Sequence, residues 1–360
     1  MPTKKAKNGD DLQSAINSKG YTWEAGATEI ASMSEELQKA HLGLEVDRKE
    51  LQATERAIAA AEELRTFSAE SFGAPPSVDW RNNGGNFITP IKNQGGCGSC
   101  VSFGTLATIE ARFNIKCKTP GQNRDYSEGY LFFCGCGQCC NQGWNFGPAL
   151  DFCQNKGILN ESQYPYTANN QPCPAGLPAP SLKIDSWSAI LPIADRKNAL
   201  ATKGPLVAGL AVFQDFFSYK TGVYKHVSGA LAGYHAVSCI GYDDVQKCWI
   251  CKNSWGTGWG DGGFFKIGYG QCGMDSQFAM YDPNVTCAPV NTCEQYLPAL
   301  RNVLAVAQAN PQLKRCLRYY VCGKLPRPVC TVQHITIARA VVAILQKCPQ
   351  YRAPWCAALG

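Results

Sequence analysis

Cys100 ends the glycine-rich stretch Gln94-Gly-Gly-Cys-Gly-Ser-Cys100 and is followed directly by the apolar-periodic segment 101–113. Apolar residues at helical spacing predict a helix there, so Cys100 should lie at the N-terminus of that helix. Because this end of a helix carries a partial positive charge, it favours the thiolate of a cysteine, which is its nucleophilic form. The sequence therefore predicts an activated cysteine nucleophile at position 100.

Two distant residues could complete such a site. His235 lies in a run typical of a strand, 135 residues after Cys100, and Asn253 follows 153 residues after it. A cysteine nucleophile is activated by a base, and the base is held in orientation by a third group. Each residue also has a structural interpretation: a disulfide cysteine, a satisfied core histidine and a turn asparagine. The helix start at Cys100 favours a catalytic role over these structural ones. Trp255 favours it too, because it would shield a hydrogen bond between His235 and Asn253 from water.

These residues fall in sequence blocks that resemble the papain-like cysteine peptidases, in the order that this family has. The four main blocks are Val78-Asp-Trp-Arg81, Asn93-Gln-Gly-Gly-Cys-Gly-Ser-Cys100, the strand with His235, and Lys252-Asn-Ser-Trp-Gly256. Two weaker ones are Cys140-Asn-Gln-Gly143 and Tyr164-Pro-Tyr166. The resemblance covers roughly 74–283. It implies peptide-bond hydrolysis by Cys100, with His235 as the base, Asn253 as its orienting group, and no metal or other cofactor.

The resemblance also implies roles around the substrate. Gln94, six residues before Cys100, would donate its side-chain amide to the oxyanion together with the backbone N–H of Cys100. Gly98 and Gly143 would form facing walls where a peptide can lie close to the backbone as an added strand. The other substrate-binding candidates are Asn145, Gly209, Gly233, Trp255 and Gln277. Of these, Asn145, Gly209, Gly233 and Gln277 would line the second subsite, where the two glycines predict a roomy pocket with no charge at its base. For Gly98 and Gly143, ordinary turn glycines are the alternative.

Twenty cysteines indicate disulfides and an oxidising compartment, extracellular or other, although no signal peptide is visible after the basic N-terminus. If Cys100 is free, nineteen remain, so at least one more is unpaired or bridges to another chain. The resemblance implies a Cys97–Cys140 bridge and a bridge from Cys134 or Cys136 to Cys173.

Other cysteines and one apolar residue depart from the family pattern. Val101 replaces the usual tryptophan, and Cys272 lacks its usual partner. Cys136-x-x-Cys139 and Cys248-x-x-Cys251 suit either zinc or a disulfide, and we expect disulfides at both.

The pattern along the chain predicts an α+β fold. Segment 100–157 is mainly helical, and short β-type runs dominate from 183 onward. The resemblance then implies a two-lobed papain-like fold, a helical lobe plus a β-barrel-like lobe, with the catalytic groups facing each other across a cleft. We expect an N-terminal helical propeptide before this domain and a C-terminal cysteine-rich helical module after it.

The N-terminal part, 1–73, has a net charge of −4 and two helical signals. Ser32-Met-Ser-Glu35 predicts a capping box with Gly43 as the helix stop, and Asp47 begins a second helix. An acidic helical segment before a cysteine peptidase domain, 74–283, resembles a propeptide that covers the cleft. A flexible or partner-binding arm is the alternative. The linker Gly73-Ala-Pro-Pro-Ser77 is the expected cleavage region.

The C-terminal part, 284–360, holds seven cysteines, nine Lys and Arg, and one acidic side chain, Glu294. Helices are predicted over Cys293–Ala309, Gln312–Cys322 and Cys330–Cys348. This cationic module suits an anionic surface or an acidic partner, and an inert stabilising cap is the alternative. The overall charge of +6 is too modest to indicate nucleic acid, and no apolar run reaches the ~20 residues of a membrane span.

The sequence as a whole predicts a cysteine endopeptidase made as a zymogen and acting on protein or peptide substrates. Two other classes stay open. A thiol transpeptidase or peptide ligase could use the same three residues, and a weakly catalytic binding protein could rely on the cationic module. The complete set Gln94, Cys100, His235 and Asn253 argues against the binding protein.

Overall fold

The computed structural model describes residues 9–67, 73–287, 296–323, 326 and 328–360. The chain divides into two compact units, Met1–Thr286 and Cys287–Gly360. Each unit has its own apolar core, so each is described by itself.

The helical lobe of the first unit is built around one almost completely buried helix. This helix, α4, spans Cys100–Cys117 and is buried on nearly every face. A helix buried all round must be covered by other elements. The covering helices are α5 (Glu128–Gly135) and α6 (Phe146–Asn155), which share one apolar core with α4.

The β lobe is a mostly antiparallel sheet with the strand order β3-β10-β4-β7-β8-β9-β6. These strands are β3 Ser186–Ile190, β4 Leu206–Phe213, β6 Val223–Tyr224, β7 Leu231–Asp243, β8 Cys248–Lys252, β9 Phe264–Gly268 and β10 Met280–Asn284. The strand β2 (Ser77–Asp79) pairs with β7, and helix α7 (Ile193–Thr202) packs on the sheet. The long central strand β7 therefore has a neighbour along most of its length, which fixes the position of His235.

The N-terminal residues form three helices and a short strand against the β lobe. They are α1 (Gly9–Ser18), β1 (Glu24–Ala25), α2 (Glu35–Ala40) and α3 (Arg48–Phe67). Strand β1 pairs with β5 (Tyr219–Thr221) in a separate two-stranded sheet. The predicted second helix is present, and Asp47 Oδ1 accepts from the backbone N–H groups of Lys49 and Glu50 at its start.

Two details of the N-terminal prediction are wrong. Ser34, not Ser32, caps α2, because its side chain accepts from the backbone N–H of Leu37. Helix α2 ends at Ala40, and Gly43 lies beyond it without the left-handed conformation of a capping glycine. Gly43 serves a different purpose, described with the site below.

The disulfide pattern of the first unit agrees with most of the expectations. Cys97 pairs with Cys140, and Cys134 rather than Cys136 pairs with Cys173. The Cys136–Cys139 disulfide also forms. The expected Cys248–Cys251 disulfide is wrong: both thiols are free and buried. Residues three apart on a strand point to opposite faces, so the two sulfurs in β8 cannot meet.

Cys100, Cys153, Cys239 and Cys272 are free thiols too.

The second unit is a small helical module stapled by disulfides. Its helices are α8 (Leu297–Ala309), α9 (Pro311–Tyr320), α10 (Val332–Lys347) and α11 (Arg352–Leu359). Cys316–Cys330 and Cys322–Cys356 join them around a core that contains Leu317 and Trp355. Glu294 and the first residues of the predicted Cys293–Ala309 helix lie outside the described residues.

The predicted fold class, α+β with two lobes, an N-terminal helical segment and a C-terminal cysteine-rich helical module, is confirmed. None of the helices in the described ranges is long and apolar enough to cross a bilayer.

Candidate active site

Cys100 is the first residue of α4 and is completely buried. The backbone N–H groups of Ala236, Gly43 and Val101 lie near enough to its sulfur to favour the thiolate. Ala236 follows His235 directly in β7, so the strand that carries the histidine also faces the thiol across the two lobes. The predicted nucleophile and the predicted base are therefore brought together by the packing of α4 on β7.

His235 is held by the predicted asparagine. Its Nε2 lies 2.7 Å from Asn253 Oδ1, and the Trp255 ring covers the imidazole with 4.7 Å between ring centroids. Asn253 follows the last residue of β8, and β7 and β8 are antiparallel neighbours, which sets this distance. Among the described residues, His235 Nδ1 has no hydrogen-bond partner. That nitrogen is therefore available to exchange a proton.

Gln94 is buried beside these groups. Hydrogen bonds to both its side-chain oxygen and its side-chain nitrogen fix its orientation. Ser254 Oγ donates to Gln94 Oε1 at 2.6 Å, so the amide nitrogen must point the other way. Gln94 Nε2 donates to the carbonyl oxygens of Cys97 at 2.9 Å and His41 at 3.1 Å. The predicted oxyanion donor thus already binds a peptide carbonyl oxygen, that of His41.

The cleft between the lobes is occupied by residues 41–45 of the same chain, which we call the latch. Gly43 O accepts from the backbone N–H of Trp144 at 2.8 Å, and Glu45 N donates to Trp144 O at 3.0 Å. On the opposite side, Leu44 N donates to Tyr234 O at 3.2 Å. Trp144 belongs to the helical lobe and Tyr234 to β7, so the latch bridges both walls of the cleft as an added strand.

The latch lies against all four glycines that were predicted to bind substrate, which are Gly98, Gly143, Gly209 and Gly233. A Cβ atom built on Gly98 or Gly143 would overlap or crowd the backbone of Gly43. A Cβ atom on Gly209 would lie 2.9 Å from the Leu44 side chain, and one on Gly233 would lie 3.0 Å from the Leu42 side chain. These four glycines therefore leave the space that an extended peptide needs.

The remaining substrate candidates, Asn145 and Gln277, line one cavity of about 350 Å³ next to the latch. Asn145 Nδ2 donates to the Glu45 carboxylate at 3.2 Å. Phe278 also lines this cavity and contacts Leu44 across Gly209. Both polar and apolar side chains line this cavity. Glu45 and Glu50 of the N-terminal segment contribute carboxylates to the lining.

Burial changes the protonation of Cys100 and His235 in this covered form. Loss of water raises the pKa of the Cys100 thiol to about 12, although the surrounding backbone N–H groups oppose this shift. Burial likewise lowers the pKa of His235 to about 4, against the Asn253 hydrogen bond that raises it. The covered site therefore holds a neutral thiol and a neutral imidazole, and the thiolate expected from the helix start requires that the cleft be uncovered.

A buried group of charges behind Asn253 was not predicted. Lys252 Nζ donates to Thr89 O and Oγ1, both at 2.9 Å, and Thr89 Oγ1 donates to Glu110 Oε2 at 2.6 Å. Burial lowers the pKa of Lys252 to about 8. Single charged residues on a helix and a strand carry no sequence signal for such a cluster. It anchors the end of β8 to the helical lobe and so holds Asn253 in place.

The sequence also did not predict which residues of the N-terminal segment form the latch. His41, Gly43 and Leu44 carry no motif, and only the expectation that the N-terminal segment covers the cleft pointed towards them. A glycine followed by apolar residues just after a helix is ambiguous in sequence, because it equally suits a helix end.

Comparisons with known proteins identify relatives of the domain that holds this site. The model of the papain family cysteine proteases matches residues 74–281. Cysteine proteinase 1 of Entamoeba histolytica is 35% identical over 208 residues, which are 54% of this chain and 64% of that protein. Zingipain-2 of Zingiber officinale is 34% identical over 219 residues, which are 58% of this chain and 96% of that protein.

Solved structures with similar folds are proforms. The proCathepsin B S9 from Trypanosoma congolense has a TM-score of 0.61 and 22% identity, covering 76% of this chain and 97% of that one. The digestive procathepsin L2 proteinase from the Tenebrio molitor larval midgut has a TM-score of 0.61 and 25% identity, covering 76% of this chain and 88% of that one.

Proposed function

Because the chain belongs to the papain family of cysteine proteases, we propose that it is an endopeptidase zymogen that cleaves peptide bonds through Cys100, His235 and Asn253. The observation that supports this most directly is a peptide strand, the latch, lying across Cys100 with a carbonyl oxygen on the Gln94 amide. The chain enters the cleft on one side and leaves it on the other, so the site accepts the middle of a polypeptide. Such a cleft suits an endopeptidase.

In the proposed reaction, His235 Nδ1 takes the proton of the Cys100 thiol, and the thiolate attacks the carbonyl carbon of the substrate. The oxyanion that forms accepts hydrogen bonds from Gln94 Nε2 and from the backbone N–H of Cys100. The C–N bond then breaks, and the leaving amine takes the proton from the imidazolium. Water attacks the resulting thioester, with His235 as general base, and releases the carboxylic acid and the free thiol.

The latch inhibits in this proposal because of what it presents to the nucleophile. The backbone N–H of Gly43 lies near enough to the Cys100 sulfur to affect its pKa, whereas attack needs a carbonyl carbon there. The carbonyl oxygen of His41 accepts from Gln94 Nε2 but, among the hydrogen bonds of the described residues, not from the backbone N–H of Cys100, so the latch engages only one of the two proposed oxyanion donors. The latch therefore occupies the substrate site in a register that cannot be cleaved.

The test compares the processed chain with its Cys100→Ala and His235→Ala variants on a peptide with an internal scissile bond. Both variants should lose hydrolysis while keeping the parent circular dichroism spectrum. Substantial turnover by folded Cys100→Ala protein would refute the assignment of the nucleophile. Added amine nucleophiles distinguish hydrolysis from transpeptidation, because a transferase would release an amide in place of the acid.

The cationic module is proposed to hold the enzyme on an anionic surface. Its described residues include seven Lys and Arg side chains and no Asp or Glu, and Val329 and Val332 are 88% and 82% exposed. Such a surface attracts anions over several ångströms. The disulfides are typical of an oxidising compartment, and we place the protein outside the cell or in a secretory compartment. Salt-sensitive binding to an anionic matrix, lost when residues 287–360 are deleted, would support the role of the module.

A further inference from the structure

Residues 9–33, which we call the anchor, are built into the core of the β lobe. Trp23 and Ile16 are 0% exposed, and Leu12 and Ile30 are also buried. All four belong to the same apolar cluster as the inward side chains of β4 and β7. Burying an aromatic side chain of this size removes roughly 150–250 Å² from water, so the anchor contributes substantially to that core.

Trp23 is the centre of this contact. Its ring lies 5.1 Å from the Tyr224 ring and 6.3 Å from the Tyr219 ring, between centroids. Its indole N–H donates to the carbonyl oxygen of Lys225 at 3.0 Å, which satisfies the polar atom that burial removes from water. The site is therefore complementary to tryptophan in both shape and hydrogen bonding.

The backbone of the β lobe is shaped to admit the anchor. Gly222 has a φ of +86°, and a Cβ atom there would lie only 2.7 Å from the Cα atom of Trp23. Gly26 N donates to Ser218 O at 2.8 Å, and Thr28 Oγ1 donates to Phe217 O at 2.6 Å. Together with the β1–β5 pairing, these bonds satisfy the edge of the β lobe along residues 217–221.

The latch and the anchor differ in what their departure leaves behind. The latch fills a cleft whose walls are glycines and hydrogen-bonding groups, and a substrate or water can replace it there. The anchor fills a space lined by Phe216, Tyr219 and Tyr224, all essentially unexposed in the structure. Removing it would expose these aromatic side chains and leave the backbone groups at the edge of the lobe without partners.

We infer that the anchor is a permanent part of the β lobe, and that only the latch and α3 leave on activation. After chain cleavage between the anchor and the latch, residues 9–33 remain bound as a non-covalent light chain. The connection begins at Ser34, and the α2 residue Leu37 is 54% exposed, so a protease can reach this stretch. This retention goes beyond the proposed peptidase function. It rests on that function only because activation means that peptidase activity appears.

The experiment uses the full chain with Cys100→Ala, so that it does not depend on peptidase activity. Recognition sequences for a site-specific protease are inserted after Ser34 and after Gly73, both exposed. After cleavage, size-exclusion chromatography should show the anchor fragment eluting together with the 74–360 fragment in a one-to-one ratio. Elution of the anchor fragment alone, as a free peptide, would overturn the inference.

Trp23→Ala identifies the contact responsible. Loss of a buried tryptophan should weaken retention by ~100-fold or more, so that the fragment separates on the column. The matched control is Ser14→Ala, an exposed residue of α1 within the anchor, which should leave retention unchanged. If Trp23→Ala does not fold, Thr28→Val removes only the hydrogen bond to Phe217 O and should speed release by about tenfold. Retention equal to that of the parent in the folded variants would contradict the role of this contact surface.

The same cuts in a chain with Cys100 intact separate this inference from the proposed function. A two-fragment complex that cleaves a peptide substrate supports both. A complex of the anchor with 74–360 that persists, is free of the 35–73 fragment and still has no activity contradicts the proposed peptidase and leaves retention standing. Active 74–360 protein from which the anchor has dissociated contradicts retention alone.

Discussion

Substitution of Gly43 by alanine should open the uncut chain. A Cβ atom at this position would lie 1.8 Å from the carbonyl oxygen of Gly98 and 2.5 Å from its Cα atom. Both are backbone atoms just before α4. They cannot move aside as the end of a flexible side chain could. The latch must therefore shift away from Cys100.

The size of the effect follows from the contacts that this shift disrupts. Overpacking of a well-packed contact costs about 1–3 kcal/mol. The hydrogen bonds of the latch to Gln94 and Trp144 contribute about 1 kcal/mol each. With one bond to Gln94 and one to Trp144 lost, the covered state should lose roughly 3–5 kcal/mol, which raises the uncovered fraction by ~10²–10⁴-fold until it saturates.

Alkylation of Cys100 in the uncut chain measures this fraction directly. The Gly43→Ala variant should react at least about a hundred times faster than the parent and should cleave a small peptide without prior processing. Gly73→Ala is the matched control, because a Cβ atom there meets nothing within 4 Å. If Gly43→Ala protein stays as unreactive as the parent, the latch does not control access to Cys100.

Three further outcomes are expected. Burial lowers the pKa of His235 to about 4, so in a Cys100→Ala chain, which has no thiol to give up a proton, an uncovered imidazole binds a proton between pH 6.5 and 4 that the covered one does not; acid should therefore favour opening of this uncut variant, and amide hydrogen exchange at Leu44, corrected for its intrinsic pH dependence, that slows as the pH falls would contradict that sign. Gln94→Ala in the processed enzyme should lower kcat by ~10²–10³-fold with little change in KM, since its amide binds the oxyanion, and steady-state kinetics would show an unchanged kcat if this role is wrong. Deletion of residues 287–360 should leave the hydrolysis of a small peptide nearly unchanged; if a folded truncation loses this cleavage, the module completes the active site.

Local sequence signals placed several elements of the fold correctly. The helix at Cys100 was predicted because apolar residues recur at helical spacing after a glycine-rich turn. The helix after Asp47 was predicted from its capping residue. Helix α11 (Arg352–Leu359) was not predicted, because the last predicted helix was ended at Pro349; Pro354 lies in the first turn of α11, where no backbone N–H is needed.

The residues of the site were found because their types and order carry a strong family resemblance. Their distances were not accessible from the sequence. His235 and Asn253 meet because β7 and β8 pair in one particular register, and Gln94 is oriented by Ser254 across the lobes. The error at Cys248 and Cys251 has the same origin, since the strand register places Cys251 opposite Cys239 instead.

The sequence by itself determined the family of the catalytic domain and the presence of an acidic helical segment before it, and it predicted a nucleophile and its base. Each of these depends on residue types at short range or on a motif. Only the tertiary structure decided which N-terminal residues fill the cleft, that Gly43 must lack a side chain, and that Trp23 lies in the core of the β lobe. Those properties arise from contacts between residues far apart in the chain, and the free energy of such contacts depends on shape and burial that no local pattern encodes.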